Sequence, residues 1–111
     1  MKIYLMNSAM MPRDGSYTRK QIQSEEFVSI LSRASEIIST IGYPNVAEMV
    51  STMAGRNVAT SRDLTEIRED KATILVVKLP YRIASPNSKG THNSRNPADY
   101  EFFSVEYSRA N

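Results

Sequence analysis

The stretch "ATILVVKLPYRI", residues 72–83, decides how this chain folds. Ile74, Leu75, Val76 and Val77 follow one another without a polar break, so side chains pointing to both faces are apolar. A strand of that kind is buried on both sides and belongs in the middle of a sheet. Pro80 cannot continue a hydrogen-bonded ladder, so it ends the strand and turns Tyr81 and Arg82 out of the sheet. Arg82 is thereby placed at a strand end, where open α/β sheets bind ligands; the alternative is a plain surface arginine.

The flanks supply the rest of the sheet. Upstream, "LTEIRED" (64–70) alternates in character, and Asp70-Lys71 marks a turn into the core strand. Ile3, Tyr4, Leu5 and Met6 form a second buried strand, ended by Asn7-Ser8. If these two strands are parallel neighbours, Asn7 and Arg82 share one sheet edge; taken alone, Asn7 reads as a turn residue. Asp14-Gly15 is a turn signal, and the alternation over 17–22 predicts a weak strand or an ordered loop. At the far end "YEFFSVEYS" (100–108) predicts a last strand carrying Tyr100, Phe102, Val105 and Tyr107.

Two helices complete the pattern. Ser24 as N-cap, followed by Glu25 and Glu26 and by Phe27, Ile30, Leu31 and Ala34 at helical spacing, predicts a helix over about 24–34. "EIISTIG" (36–42) reads as a short strand leading into a second helix from Pro44 to Ala54, with proline at its first turn and Gly55 as its stop. The expected fold is a single α/β (α+β) domain of 111 residues: a small mixed sheet of about four to five strands with two helices packed on it. Residues 85–99, "SPNSKGTHNSRNPAD", have the composition of a long loop.

Composition narrows the function classes. Fourteen basic against twelve acidic residues give a net charge of +2, which permits an anionic small ligand but lacks the dense basic stripe of a duplex nucleic-acid binder. The absence of cysteine removes disulfides, thiolate metal sites and a cysteine nucleophile. "MKIYLMNSAMMP" is too short and too interrupted for a signal peptide or membrane span, so the expected location is the cytoplasm with no membrane partner. No P-loop, nucleophile elbow, HExxH or acidic metal spacing occurs, and neither cofactor nor metal is expected. Met49 and Met53 read as core fillers.

The chemistry concentrates at the second helix start. Its first amides lack intrahelical partners and carry the positive end of the helix dipole, so Gly42-Tyr43-Pro44-Asn45 is a candidate anion site, with Gly42 allowing close approach. The alternative is that Asn45 or Thr40 satisfies those amides and Gly42 only makes a turn. His92, the single histidine, lies in the long loop with Lys89 and Arg95. It is either an acid over a bound phosphate or part of a solvated loop.

Taken together, "KIYLMNSAM", "ISTIGYPNVAEMVSTMAGRNVATSR", "ATILVVKLPYRI" and "YEFFSVEY" resemble the viral and mobile-element DUF1874 family, which contains the ring nucleases acting as type III anti-CRISPRs. The resemblance spans nearly the whole chain. It implies a homodimer around a central mixed sheet, with cyclic tetra-adenylate bound across the two-fold axis, where each subunit offers the same contacts to a symmetric ring. Asn7 matches the family's asparagine after the first strand and Arg82 its arginine after the core strand. The ligand-binding set so implied is Asn7, Ser8, Gly42, Tyr43, Asn45, Val46 and Arg82.

The departures are as specific as the matches. Active members carry a His general acid where this chain has Tyr43; a phenol can donate a hydrogen bond but is a poorer proton donor. Met10 replaces a small polar residue, Asn45 and Val46 replace a Ser/Thr pair, and Ala84 or Ser85 falls where an acid is expected. The family's helix before the last strand gives way to the 85–99 loop. The resulting expectation is a dimeric protein that sequesters a cyclic nucleotide and so blunts host immunity. One alternative is a ring nuclease using Tyr43 or His92 as acid and Arg82 for the charged phosphorane. Another is a protein-interaction module presenting Tyr100, Phe102, Phe103 and Tyr107.

Overall fold

The structure, a computed structural model, describes residues 2–7, 15–61, 67, 69–78 and 96–109. Five strands, β1 (Lys2–Met6), β2 (Gly15–Ile22), β3 (Glu36–Ser39), β4 (Lys71–Lys78) and β5 (Glu101–Arg109), form one sheet in the order β2-β5-β4-β1-β3. The apolar run Ile74–Val77 is indeed interior: β4 lies between β1, to which it is parallel, and β5, to which it is antiparallel. β1 is also parallel to β3, so β1, β3 and β4 all end on one sheet edge.

Both helices, α1 (Ser24–Arg33) and α2 (Pro44–Ala54), pack on the same face. Side-chain alternation sorts the sheet residues: Ile3, Leu5, Leu75, Val77 and Phe102 meet Phe27 and Leu31 of α1 and Val46, Met49 and Val50 of α2. Phe27 and Phe102 anchor this layer with ring centroids 4.7 Å apart. Tyr4, Met6, Ile74, Val76, Phe103, Val105 and Tyr107 form the second core on the opposite face, together with Ile67. Burying both faces is what the unbroken apolar run of β4 requires.

Local chemistry explains the helix limits. Proline occupies the first turn of α2, and Gly55 ends it in the left-handed conformation (φ 66°), with the Gly55 and Arg56 amides returning to the Ser51 carbonyl. α1 begins one residue earlier than its sequence signal: Gln23 is the cap, because its carbonyl already accepts the Phe27 amide at 3.0 Å, and Ser24 is the first helical residue. Arg56 closes the other end of α1, its guanidinium donating to the carbonyls of Leu31, at 3.0 Å, and Ala34. Met49 is buried and Met53 half-buried against the core.

The stretch expected to be a weak strand or an ordered loop is a full eight-residue edge strand paired with β5 from Gly15↔Arg109 to Ile22↔Phe102. Gly15 is required there, since a Cβ would sit 2.3 Å from the Tyr107 ring. The last strand starts at Glu101, preceded by a 3-10 turn over Pro97–Asp99 that belongs to the predicted loop. Of "LTEIRED" only Ile67, Glu69 and Asp70 are described, and they are not in a strand.

Candidate functional site

Three parallel strands end together, and the described residues after β1 and β3 form the candidate site. Asn7 is half-buried in a bend directly after β1. The connection from β3 into α2 arrives beside it, because Thr40 donates both its amide (2.8 Å) and its hydroxyl (3.3 Å) to the carbonyl of Leu5. β1 and β4 are parallel neighbours, so the condition under which Asn7 and the stretch after β4 share one edge is met. Arg82, His92 and Ser8 lie outside the described residues.

The start of α2 differs electrostatically from that of α1. Glu25 and Glu26 stand in the first turn of α1 and offset its dipole. The first turn of α2 contains no acid, and its cap residue Tyr43 makes no side-chain capping bond. Thr40, one of the two residues that might have satisfied those amides, is turned to β1 instead. The positive end of α2 therefore faces the sheet edge without a carboxylate from its own first turn.

Not every group in this turn is equally available. Val46 is buried, and its amide donates to the Tyr43 carbonyl at 3.1 Å, as does that of Ala47. As a ligand contact, Val46 is thus weaker than its place in the sequence implies. Pro44 has no amide hydrogen. Gly42 and Asn45 are half-buried, and Tyr43, 37% exposed, is the one large apolar side chain exposed among the described residues. An exposed ring at a helix start, with Gly42 before it and Asn45 two residues after, can stack on a planar group while backbone dipoles meet an anion.

A second polar cluster, not foreseen from the sequence, lies at the opposite edge. Lys2 Nζ meets Glu69 Oε1 at 2.9 Å, and the hydroxyl of buried Tyr4 donates to Glu69 Oε2 at 2.6 Å. These two hydrogen bonds, that of Lys2 first, hold the Glu69 carboxyl at about 2, and the bond to Glu69 raises the Lys2 ammonium. A cleft of about 270 Å³ opens here between Lys2, Tyr4, Glu69, Lys71, Thr73 and Glu106. Thr73 donates to the Glu106 carboxylate, so most of the charged groups lining the cleft are already engaged by one another. Residues 65 or more apart in sequence make this cluster, and no local pattern announces it.

The aromatic last strand is not an exposed surface. Tyr100, Phe102, Phe103 and Tyr107 are all buried in the chain's own cores, which removes the feature that favoured a plain interaction module. Among the described residues no group of His, Asp and Glu could hold a metal ion, and no helix is long and apolar enough to cross a membrane.

The fold is that of a small mixed α/β protein whose second helix starts, with no acid in its first turn, at the carboxyl ends of parallel strands. The model of the STIV B116-like family matches residues 3–96, and the chain belongs to that family. The structure is similar to that of B116 of Sulfolobus turreted icosahedral virus, with a TM-score of 0.66 over 95% of this chain and 98% of that one. At 17% identity this likeness is one of fold. The chain matches no curated protein.

Proposed function

We propose that this protein binds a cyclic oligonucleotide second messenger, cyclic tetra-adenylate or a close relative, and removes it from signalling by sequestration. The observation that carries the reading is the α2 start: no acid in its first turn, no side-chain capping bond from Tyr43, Gly42 before it, and a connection from β3 hydrogen-bonded to Leu5 of β1, two residues before Asn7. Membership in the STIV B116-like family and the resemblance to DUF1874 proteins favour a cyclic nucleotide over other anions. In this reading Asn7, Ser8, Gly42, Asn45 and Arg82 hold phosphate and ribose, and Tyr43 stacks on a base.

The working unit is a homodimer, whose two-fold axis matches a symmetric ring. The protein is of viral or mobile-element origin and acts in the host cytoplasm against nucleotide-signalled immunity. Sequestration is favoured over cleavage because Tyr43 stands where active ring nucleases carry a histidine. A sponge needs affinity and abundance alone; micromolar binding corresponds to about −8 kcal/mol.

The test is incubation of purified protein with excess cyclic di-, tri- and tetranucleotides, followed by chromatography of bound and free nucleotide. One intact ring retained per dimer supports the proposal. Linear products accumulating beyond the protein concentration would replace it with ring cleavage, and retention no better than for a linear control would remove nucleotide binding altogether.

A further inference from the structure

The connection 40–43 is fixed to a degree that its role as a turn does not require. Thr40 spends both donors on the single carbonyl of Leu5, two residues before Asn7. Ile41 is pinned at every handle: its amide donates to Ser39 Oγ at 3.3 Å, its carbonyl accepts the Ser61 amide at 2.8 Å, and its side chain is fully buried. Residues 39, 40 and 61 therefore grip the chain immediately before Gly42, from β3, β1 and the stretch after α2. Beyond that grip Tyr43 stands exposed.

From this geometry we infer that Thr40 and Ser39 are positioning residues, a latch that sets Gly42 to Asn45 beside Asn7 before any ligand arrives. Neither need touch the ligand. A binding loop ordered in advance avoids the cost of ordering on binding, and a loop populated only part of the time loses apparent affinity in proportion. Thr40 acts through its hydroxyl, which holds β1 to the connection; Ser39 acts through Oγ, which occupies the Ile41 amide. The ligand named in this inference rests on the function proposed above, whereas the latch itself concerns the free protein.

The experiment compares Thr40→Val, Thr40→Ser and Ser39→Ala with the unaltered chain, by amide hydrogen exchange without ligand and by titration with cyclic tetra-adenylate. Loss of one such bond should accelerate exchange at Thr40, Ile41 and Ser61 about five- to tenfold in Thr40→Val and Ser39→Ala, with Thr40→Ser restored to the original rate. Affinity should fall about three- to tenfold in the same two variants and recover in Thr40→Ser.

Unchanged local exchange overturns the latch, as does faster exchange spread equally over β1, β4 and β5, which marks general destabilisation. So does a loosened connection with undiminished affinity. If the exchange pattern appears but the unaltered protein binds no nucleotide, the ligand assignment fails and the latch stands.

Discussion

Replacing Tyr4 by phenylalanine removes one oxygen from the second core and leaves the ring. Tyr4 is 2% exposed, so its ring packing should persist, while the hydroxyl that donates to Glu69 Oε2 at 2.6 Å is lost. A hydrogen bond to a charged acceptor contributes about 1.5–3 kcal/mol when water is excluded. The Glu69 side chain is 38% exposed, so water can occupy the vacated position and the expected loss falls to about 1 kcal/mol. For a chain of this size that lowers the melting temperature by about 4 °C.

The pH dependence is the sharper part of this prediction. Lys2 and Tyr4 hold Glu69 at about 2, below its ordinary 4.5. A carboxyl depressed in the folded state adds stability that is fully present above pH 4.5 and is lost as pH falls toward 2. The gap between the two proteins should therefore be complete at pH 7, narrow below pH 4.5, and nearly close at pH 2. Urea titrations at pH 7, 4 and 2.5 measure it. Equal stability at pH 7, or a gap that does not change with pH, would refute the assignment of the Tyr4 hydroxyl to an ionised Glu69. Nucleotide binding should be unaffected, since this cluster lies at the opposite end of the sheet from Asn7 and Tyr43.

Other substitutions separate stability from binding. Arg56→Ala uncovers the Ala34 carbonyl and leaves that of Leu31 with the Ala34 amide alone; it should cost about 1–2 kcal/mol, read as a lower urea midpoint with faster exchange in the last turn of α1. Tyr43→Ala removes an exposed ring and should change stability by less than about 0.5 kcal/mol, while weakening a stacked nucleotide at least about tenfold in a titration. Leu31→Ala empties a fully buried position between α1 and the sheet and should cost about 2–5 kcal/mol by urea denaturation.

The elements most legible in the sequence were those written in local signals. Pro44 and Gly55 bracket α2 to the residue because each acts through its own backbone, and the run Ile74–Val77 marks a central strand whatever surrounds it. β2 was only half legible: four consecutive exposed residues, Thr18, Arg19, Lys20 and Gln21, would read as loop without the partner strand β5 that orders them. The Asn7 edge was legible as a condition, since strand order is decided by long-range pairing. Contacts that join distant segments, Tyr4 to Glu69, Thr40 to Leu5 and Ser61 to Ile41, leave no mark in composition or period.

The proposed function requires that the ligand meet the Asn7 edge of the sheet. A titration of isotope-labelled protein with cyclic tetra-adenylate, followed through backbone amide shifts, measures that directly. Saturable shifts at Asn7, Gly42, Tyr43 and Asn45, with Glu69, Lys71 and Glu106 unmoved, are the predicted result. Shifts confined to the Glu69 edge, or none at any concentration, would contradict it.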